Sequence, residues 1–427
     1  MGNGCCSRQE KPTAIVPPTI GASNCQIESG YLSLPNRFAH RQDREELVGL
    51  AGLDNVGNTC FVNAGLQCVL NCQPLVDYFL SEAWSAELNA VNPKGSKGMF
   101  TRAFVELVKA QWTEVYDQIV PKHLVELAQA RTPIFAENTQ NDVQELLIML
   151  LDVLHEDLNR AQDASPITPL AYTDESDEKQ AARAWAMHLR HDSSVIVDLF
   201  QGQFKSSVTC SRCKHRSVTF DTFMYISLPV PKSRTMPSLQ DCLEEFTKEE
   251  TLEQGWVCPK CRIPVVARKK FDIWKVPPVL LFHLKRFLYT QTQKGKINKP
   301  VIYPVADLDL RRYVTGPQKV PPIYDLFAKA DHEGTLGSGH YTATCKNSNL
   351  QTWHRFDDGQ VSPENEGCLV SSTAYVLFYC KNSVTEYQRQ AENLPQFWPH
   401  VFGKEGGFGS EDLKQTFESE SVSSQSS

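Results

Sequence analysis

The chain has 427 residues, enough for two or three domain-sized units or for one large catalytic unit with tails. Its composition, 41% hydrophobic and 22% charged, is ordinary for a soluble globular protein. The net charge of −7 does not indicate nucleic-acid binding. No apolar run is long enough to span a bilayer. Fourteen cysteines without a hydrophobic secretion signal indicate a reducing compartment, where thiols serve metals or catalysis.

Residues 1–47 lack a periodic apolar pattern and are rich in Pro, Ser, Gln and Asn, which predicts a flexible arm. The arm opens with Met-Gly-Asn-Gly-Cys-Cys-Ser, which predicts myristoylation of Gly2 and palmitoylation of Cys5 or Cys6. The usual motif has Ser or Thr where Cys6 stands, so a start without lipid is the alternative. We therefore expect a cytoplasmic protein, anchored at the cytoplasmic face of a membrane if the arm is acylated.

A polar, glycine-bearing turn leads into Cys60, after which apolar residues recur at helical spacing. The spacing predicts a helix with Cys60 in its first turn and with Asn58 or Thr59 as its cap. The unpaired N–H groups and the positive end of the helix dipole favour a thiolate, which is the form of cysteine that attacks carbonyl carbon. Asn55 on the turn is predicted to donate to the resulting oxyanion. A buried structural thiol is the alternative.

The stretch 52–68 reads Gly-Leu-Asp-Asn-Val-Gly-Asn-Thr-Cys-Phe-Val-Asn-Ala-Gly-Leu-Gln-Cys and resembles the cysteine box of the ubiquitin-specific proteases. The resemblance covers about 48–382, with the expected motifs in the expected order. It implies a papain-like α+β fold with a helical thumb (about 48–200), zinc-ribbon-bearing fingers (about 201–275) and a β-rich palm (about 276–382). It also implies a thiol isopeptidase that cleaves after the C-terminal glycine of ubiquitin, with ubiquitin and ubiquitinated proteins as partners.

The segment Thr139–Asn159 carries an apolar stripe, which predicts a long amphipathic helix beginning near residue 138 or 139. Its start resembles the family's Gln-x-Asp-x-x-Glu motif, and Asp142 and Glu145 share a face because they are three residues apart. The resemblance implies that Gln140, Asp142 and Glu145 hold the basic C-terminal tail of ubiquitin. A solvated acidic helix start is the alternative.

Two Cys-x-x-Cys knuckles follow, formed by Cys210 with Cys213 and by Cys258 with Cys261. Such a pair supplies four thiolates for one tetrahedral Zn²⁺ with a structural role. The 44 residues that separate Cys213 from Cys258 exceed the spacing of a short zinc ribbon, so the spacing alone does not identify a zinc site. They match the zinc-bearing fingers of the family, in which strands intervene.

The run 277–287 predicts a buried strand that enters a sheet, and it resembles a family signature of the central sheet. His283 on this run is interpreted as a structural histidine with its hydrogen bonds satisfied. From there to residue 381 the pattern predicts mostly strands, among them Thr342–Cys345 and Ala374–Cys380.

Glycines precede His340, and a β-type sequence follows it. A histidine at a strand entrance beside a glycine-rich loop suits a general base that must meet an incoming peptide tail. Asp357 is predicted to hold the imidazole in the tautomer that faces the nucleophile. Both stretches resemble the family's histidine box, which makes Asp358 an auxiliary carboxylate. His332 and His354 lie outside the match and are interpreted as surface residues.

Residues 383–427 are Ser-rich and hold three Lys or Arg against seven Asp or Glu, which predicts a disordered acidic tail. Two alternatives to a deubiquitinase remain: a protease for a ubiquitin-like modifier and an inactive ubiquitin-binding scaffold. The intact set Cys60, His340, Asp357 and Asn55 argues against the scaffold, because a pure binder needs none of them. The sequence indicates neither the oligomeric state nor the preferred chain linkage.

Overall fold

The computed structural model of the chain describes residues 48–113, 116–135, 139–161, 175–289, 294–335 and 338–383. The predicted arm with Gly2, Cys5 and Cys6, and nearly all of the predicted tail, lie outside these residues. Within the described residues, no helix combines the length and the apolar character needed to cross a membrane.

Helices make up most of the first half of the described chain, and strands make up most of the second half. The α-helices among the described residues are α1 (Cys60–Leu70), α2 (Gln73–Leu80), α3 (Trp84–Glu87), α4 (Met99–Trp112), α5 (Lys122–Arg131), α6 (Val143–Asp157), α7 (Asp177–Leu189), α8 (Val195–Phe200) and α9 (Leu239–Phe246). Short 3₁₀ turns occur at Pro133–Phe135 and Glu366–Cys368. This division confirms the predicted α+β class.

The strands in the described part of the chain are β1 (Gly52–Leu53), β2 (Gln118–Ile119), β3 (Gly202–Cys210), β4 (Arg216–Phe223), β5 (Tyr225–Pro229), β6 (Glu250–Val257), β7 (Pro264–Lys275), β8 (Val279–Lys285), β9 (Phe287–Tyr289), β10 (Lys294–Lys296), β11 (Leu308–Asp309), β12 (Ile323–Gly334), β13 (Gly339–Lys346), β14 (Trp353–Asp357), β15 (Gln360–Glu364) and β16 (Ala374–Lys381). They form a large sheet, a four-stranded sheet and two short pairs, β1 with β2 and β9 with β10.

Helix α1 lies at the centre of the core, between α6 and β13. Every residue from Cys60 to Leu70 is buried. A helix that is buried on all sides is stable only inside a core, because no face of it is left for solvent. Gly65 lets α6 approach closely, since a Cβ at this position would stand 2.8 Å from Cδ2 of Leu146. Packing on both faces therefore sets the position of Cys60.

Helix α6 begins at Val143, so the predicted start near residue 138 or 139 is too early. Asp142 has an extended backbone and its carboxylate accepts the N–H of Gln144 at 2.8 Å, which makes it the N-cap. The apolar stripe of the predicted segment faces the core, as expected. The residues just before the cap lie outside the helix, and Gln140 among them bonds to Gly339 of β13.

The large sheet has the strand order β15-β14-β13-β12-β16-β8-β5, with β11 paired to β12. All of these neighbours are antiparallel except β5 and β8. The predicted strands at Thr342–Cys345 and Ala374–Cys380 are confirmed within β13 and β16. The predicted run 277–287 divides at Arg286, whose buried guanidinium donates to the carbonyl of Ala374 at 2.6 Å. One chain segment therefore supplies both a central strand and the β9–β10 hairpin.

The four-stranded sheet has the order β4-β3-β7-β6 and is antiparallel throughout. The range predicted for the fingers, about 201–275, also contains β5 and α9. The structure places β5 at the edge of the large sheet, with α9 packed against it. The reason is burial, because Ile226 and Leu228 of β5 are fully buried in the core beneath that sheet.

Two histidines interpreted as surface residues are buried, so that interpretation is wrong. His332 is 4% exposed and His354 is 7% exposed. Both lie within strands of the large sheet, and the His332 ring is packed edge-on against Phe287 with 5.3 Å between ring centroids. His283 lies in β8 as a structural histidine, with its Nδ1 2.8 Å from Oγ of Ser227. Its hydrogen bonds are not all satisfied, because its buried Nε2 has no partner among the described residues.

Candidate active site

Cys60 is the first residue of α1, and only 3% of it is exposed. Burial raises the pKa of its thiol, and this effect outweighs the lowering by the backbone N–H groups of Tyr341 and Phe61. The negative charge of Asp358 raises the pKa further. The N–H groups at the helix start lower the pKa, as expected, but in the resting protein desolvation of the charged form outweighs them.

The turn before α1 is organised by the side chain of Asn55. Its Oδ1 accepts the N–H groups of Gly57 and Thr59, each at 3.1 Å. Thr59 is the N-cap, one of the two predicted candidates, but its side chain makes no bond to the helix. Its hydroxyl accepts the N–H of Val56 at 3.1 Å instead, within the turn. The Asn55 oxygen is thus committed to the turn, and its amide nitrogen faces other partners.

Asp358 holds that amide nitrogen. Its Oδ2 accepts from Nδ2 of Asn55 at 2.9 Å, and its Oδ1 accepts from Nδ2 of Asn63 at 2.8 Å. Its backbone carbonyl accepts the N–H of Leu53 at 3.0 Å. Sequence reasoning missed Asn63, although a polar residue one helical turn beyond Cys60 on an apolar helix is a detectable signal. Asp358 therefore ties together the turn, α1 and β1.

The β14–β15 turn that carries Asp358 rests directly on β1 and β2. A Cβ on Gly52 would stand 2.4 Å from the carbonyl of Gly359, and a Cβ on Gly359 would stand 2.2 Å from Nε2 of Gln118. The contact at Gly52 is with backbone and leaves room only for glycine, whereas a side chain at residue 359 would require the Gln118 side chain to move. Asp358 itself has a φ of 50°, a left-handed conformation that Asp tolerates better than most residues.

His340 and Asp357 form the direct imidazole–carboxylate pair of the site. Nε2 of His340 lies 2.7 Å from Oδ1 of Asp357. Nη2 of Arg355 lies 3.4 Å from the other carboxylate oxygen. His340 is near the start of β13 and Asp357 ends the adjacent strand β14, so the sheet brings the two together. With Nε2 bonded, Nδ1 is the ring nitrogen that remains for a further partner.

The thiol of Cys60 lies beside β13. The backbone N–H of Tyr341, the residue after His340, is close enough to it to lower the pKa of the thiol. Within the described residues, no direct hydrogen bond joins the thiol to the imidazole of His340. The structure thus gathers the four predicted catalytic residues and Asp358 into one site, in which the thiol and the base are not yet bonded to each other.

The predicted tail-binding residues line the start of α6 beside this site. Asp142 accepts the hydroxyl of Tyr375 at 2.5 Å, and burial raises the pKa of its carboxyl despite that bond. Glu145 is exposed, and the pKa of its carboxyl is raised by partial burial and by the charge of Asp142. The side-chain amide of Gln140 exchanges two hydrogen bonds with the backbone of Gly339. Two carboxylates and a strand entrance thus flank the approach to the thiol.

A cleft of about 500 Å³ lies between α6, the four-stranded sheet and the large sheet. Its walls include Leu147 and Ile148 of α6, Phe204 of β3, and Met224 and His283 from the large-sheet side. Its lining residues, as far as the structure describes the chain, include no acidic side chain. The exposed part of Ile148 makes this face of α6 a candidate contact for a large apolar partner.

The two Cys-x-x-Cys knuckles lie at the same end of the four-stranded sheet. The strand β3 ends at Cys210, and β7 begins shortly after Cys261. Because β3 and β7 are antiparallel neighbours, these ends meet. The sulfurs of Cys213 and Cys258 lie 3.6 Å apart, those of Cys210 and Cys261 lie 4.0 Å apart, and all four are within 4.8 Å of one another.

This sulfur cluster fits a tetrahedral Zn²⁺. Four thiolates at about 2.3 Å from the metal lie about 3.8 Å from one another. In each knuckle the N–H of the second cysteine donates to the sulfur of the first at 3.4 Å, which stabilises thiolate charge. A residue with positive φ follows each knuckle, Lys214 at 61° and Arg262 at 56°, so the two turns have the same shape.

A buried thiol at a helix start beside an imidazole–carboxylate pair is the arrangement of a thiol hydrolase. The model of the family "Ubiquitin carboxyl-terminal hydrolase" matches residues 51–379 of this chain. The chain belongs to that family, which confirms the resemblance found in the cysteine and histidine boxes.

Among curated relatives, the chain is 37% identical over 336 residues to ubiquitin carboxyl-terminal hydrolase 2 of Rattus norvegicus, covering 78% of this chain and 54% of that protein. It is 36% identical over 403 residues to ubiquitin carboxyl-terminal hydrolase 4 of Saccharomyces cerevisiae, covering 86% of this chain and 42% of that protein. The chain thus spans about half the length of the curated relatives it matches.

Among solved structures, the chain resembles one from the SAGA DUB module Ubp8/Sgf11/Sus1/Sgf73 bound to monoubiquitin. The TM-score is 0.62 at 25% identity, and the match covers 81% of this chain and 72% of that one. A second structure of the module, bound to ubiquitin aldehyde, matches with a TM-score of 0.62 at 25% identity over 79% of this chain and 70% of that one. The predicted ubiquitin-specific protease fold is thereby confirmed.

Proposed function

We propose that the protein is a deubiquitinating thiol isopeptidase that cleaves after the C-terminal glycine of ubiquitin in conjugates. The observation that carries the proposal is the Cys60 thiol beside the backbone of Tyr341, the residue that follows a His340 imidazole held 2.7 Å from Asp357. Family membership supports the same chemistry. Solved structures with this fold contain monoubiquitin or ubiquitin aldehyde, which supports ubiquitin as the substrate.

In the proposed reaction, Nδ1 of His340 takes the proton of Cys60 as the sulfur attacks the scissile carbonyl carbon. Asp357 stabilises the imidazolium through its bond to Nε2. The tetrahedral intermediate then expels the lysine amine of the conjugate, which receives the proton from His340. This leaves a thioester between Cys60 and the ubiquitin terminus. Water, deprotonated by the same imidazole, hydrolyses the thioester and restores the thiol.

The negative oxygen of the tetrahedral intermediate requires hydrogen-bond donors at the start of α1. The Nδ2 group of Asn55 carries two hydrogens, one of which is bonded to Asp358. The second hydrogen and the backbone N–H of Cys60 are the donors that we assign to the oxyanion. Asp358 then orients the Asn55 amide, rather than acting on the imidazole.

The tail of ubiquitin is basic and extended, so it needs acidic partners along its path to the thiol. We assign Asp142 and Glu145 to this contact, since both carboxylates lie at the start of α6 beside the site. Loss of solvent raises the pKa of both groups, and a basic partner would favour their charged forms. The cleft beside α6 is assigned to the folded body of ubiquitin.

We also propose that Cys210, Cys213, Cys258 and Cys261 bind one structural Zn²⁺. Four protein thiolates fill a tetrahedral site, so the ion has no open position for water and takes no part in hydrolysis. It would hold the ends of two hairpins together at the tip of the four-stranded sheet, where few apolar side chains are buried.

The experiment that tests the substrate is labelling by C-terminal electrophilic probes of ubiquitin and of several ubiquitin-like modifiers. We expect the ubiquitin probe to label Cys60, and the Cys60→Ala variant to remain unlabelled. Exclusive labelling by the probe of another modifier would show that this modifier, and not ubiquitin, is the substrate. Binding of ubiquitin without labelling by any probe would establish the inactive scaffold.

Acylation of the N-terminal arm is a separate proposal about location. One myristoyl chain on Gly2 binds membranes only marginally, so a palmitoyl group on Cys5 or Cys6 supplies the second anchor. Cell fractionation of the wild type beside Gly2→Ala tests it, with mass spectrometry of the N-terminal peptide. Equal solubility of both proteins and an unmodified peptide would make the protein cytosolic.

A further inference from the structure

We propose that Gln140 and Lys296 are positioning residues for His340, and that they hold the β12–β13 hairpin from opposite sides. The inference rests on the proposed function, in which His340 is the base. It gives Gln140 a role other than the contact with the ubiquitin tail that the family resemblance implies. Lys296 has no role in the mechanism described so far.

His340 lies where the large sheet has lost its neighbouring strands. It pairs with Glu333 of β12, but β14 pairs with β13 only from Ala343 onward. On the other side, β16 pairs with β12 only as far as Asp331, after which the N–H of His332 still donates to the carbonyl of Thr373 at 2.8 Å. Beyond that bond, the last pairs of the hairpin are a two-stranded ribbon without a neighbouring strand on either edge. Such a ribbon is marginal by itself, so its end needs other partners to hold a fixed geometry.

Gln140 supplies the partner for the open edge of β13. Its Nε2 donates to the carbonyl of Gly339, and its Oε1 accepts the N–H of the same residue. This is the pair of bonds that a neighbouring strand would make. Because backbone groups alternate along a strand, the N–H of Tyr341 faces the same edge, beside which the Cys60 thiol lies. Gln140 thus fixes the edge of β13 that faces the nucleophile.

Lys296 supplies the partner for the open edge of β12. Its ammonium donates to the carbonyl of His332 at 2.6 Å and to that of Gly334 at 3.4 Å. Lys296 is opposite Phe287 in the β9–β10 hairpin, and the Phe287 ring packs against His332. The Lys296 ammonium and the Phe287 ring therefore hold the β9–β10 pair against the β12–β13 hairpin.

The packing within the β12–β13 hairpin makes the contacts of Gln140 and Lys296 important for the position of His340. A Cβ on Gly339 would stand 2.2 Å from Nε2 of His332, so the histidine ring occupies the space of a side chain at 339. With no side chain at 339, only its backbone can be held from outside, and Gln140 does so. A shift of about 1 Å in a catalytic group can cost on the order of 100-fold in rate. Small displacements of this ribbon should therefore lower turnover.

The test replaces each side chain by an apolar one of similar length, Gln140→Met and Lys296→Met. The matched controls are Gln129→Met on α5 and Lys346→Met at the far end of β13. Two quantities are measured on each full-length variant: kcat and KM for ubiquitin with a C-terminal aminocoumarin, and the pH dependence of Cys60 alkylation by iodoacetamide. Thermal unfolding confirms that each variant is folded.

We expect kcat to fall by about 10-fold or more for Gln140→Met and Lys296→Met, with KM changed less than about 2-fold. The alkylation profile of Cys60 should move to higher pH, because a displaced imidazolium stabilises the thiolate less. The two controls should match the wild type in both measurements.

A rise in KM with unchanged kcat for Gln140→Met would overturn the inference, because it would place Gln140 in contact with the ubiquitin tail. Unchanged alkylation profiles would overturn it too, whatever happens to kcat. Alkylation uses no ubiquitin, so this readout remains valid if the aminocoumarin substrate is not cleaved. Failure of the proposed function and failure of this inference are thus distinguishable.

Discussion

Nδ2 of Asn55 donates to Oδ2 of Asp358 at 2.9 Å, across 303 positions of the chain. The neighbouring carboxylate, that of Asp357, lies 2.7 Å from the imidazole of His340. Two adjacent aspartates therefore face different parts of the site. Asp357 orients the imidazole of the base, and Asp358 orients the Asn55 amide that we assign to the oxyanion.

This division predicts that Asn55 and Asp358 act as one unit. We expect Asn55→Ala to lower kcat about 100- to 1,000-fold with little change in KM, because the donor matters only when charge develops on the carbonyl oxygen. Asp358→Ala should lower kcat in the same way, and the double variant should be no worse than Asn55→Ala. Steady-state kinetics on a ubiquitin aminocoumarin substrate measure this, and fully additive losses would separate the two residues.

The proposed nucleophile and base are tested by Cys60→Ala and His340→Ala. We expect Cys60→Ala to abolish hydrolysis while ubiquitin still binds, because the change removes the sulfur and little volume. Loss of the base should cost on the order of 100-fold or more in rate. Calorimetric binding of ubiquitin is the control for folding, and near-native turnover by either variant would show that the residues are misassigned.

The sulfur cluster is tested by metal analysis and by Cys258→Ser, with Cys368→Ser as the matched control at an exposed cysteine. We expect one zinc per freshly purified chain and a clear fall in the thermal midpoint for Cys258→Ser, since a structural metal contributes directly to folding. The control should keep both its zinc and its midpoint. Protein purified without zinc, yet folded, would contradict the assignment.

One half-buried histidine, His283, and one buried histidine, His332, predict how stability depends on pH. Burial, helped by nearby positive charge, lowers the pKa of His283 and of His332 to about 4. In the unfolded chain a histidine has a pKa of about 6.5, so the unfolded state binds more protons between these values. The contribution of these two histidines to the free energy of unfolding is therefore fully present above about pH 6.5, and it is lost as pH falls towards 4.

Denaturant midpoints at pH 7 and pH 5 measure this loss. His283→Asn should show a smaller loss than the wild type, because one of the two proton-linked groups is gone. His123→Asn, at a partly exposed histidine on α5, should behave as the wild type does. Equal losses for the wild type and His283→Asn would show that this histidine is not protonated on unfolding in that range.

Local patterns predicted much of the architecture, because their causes are local. The apolar spacing after Cys60 and along Thr139–Asn159 identified two helices, and alternating residues identified strands such as β13 and β16. Helix boundaries were less accurate, since the start of α6 depends on the Asp142 side chain bonding to one particular N–H. Burial of His332 and His354 was missed because the sequence of a strand that contains polar residues does not show which face meets the core.

The sequence by itself determined the chemical groups of the site: a cysteine at a helix start, a histidine at a strand entrance, two adjacent carboxylates and four knuckle thiols. Only the tertiary structure decided how they are connected. The fold brings the Asp358 carboxylate to the Asn55 amide, and it brings the Gln140 amide to the backbone of Gly339 across 199 positions. Burial decides the direction of the Cys60 pKa. Both depend on elements distant in the chain meeting at distances of a few ångströms, which no local pattern specifies.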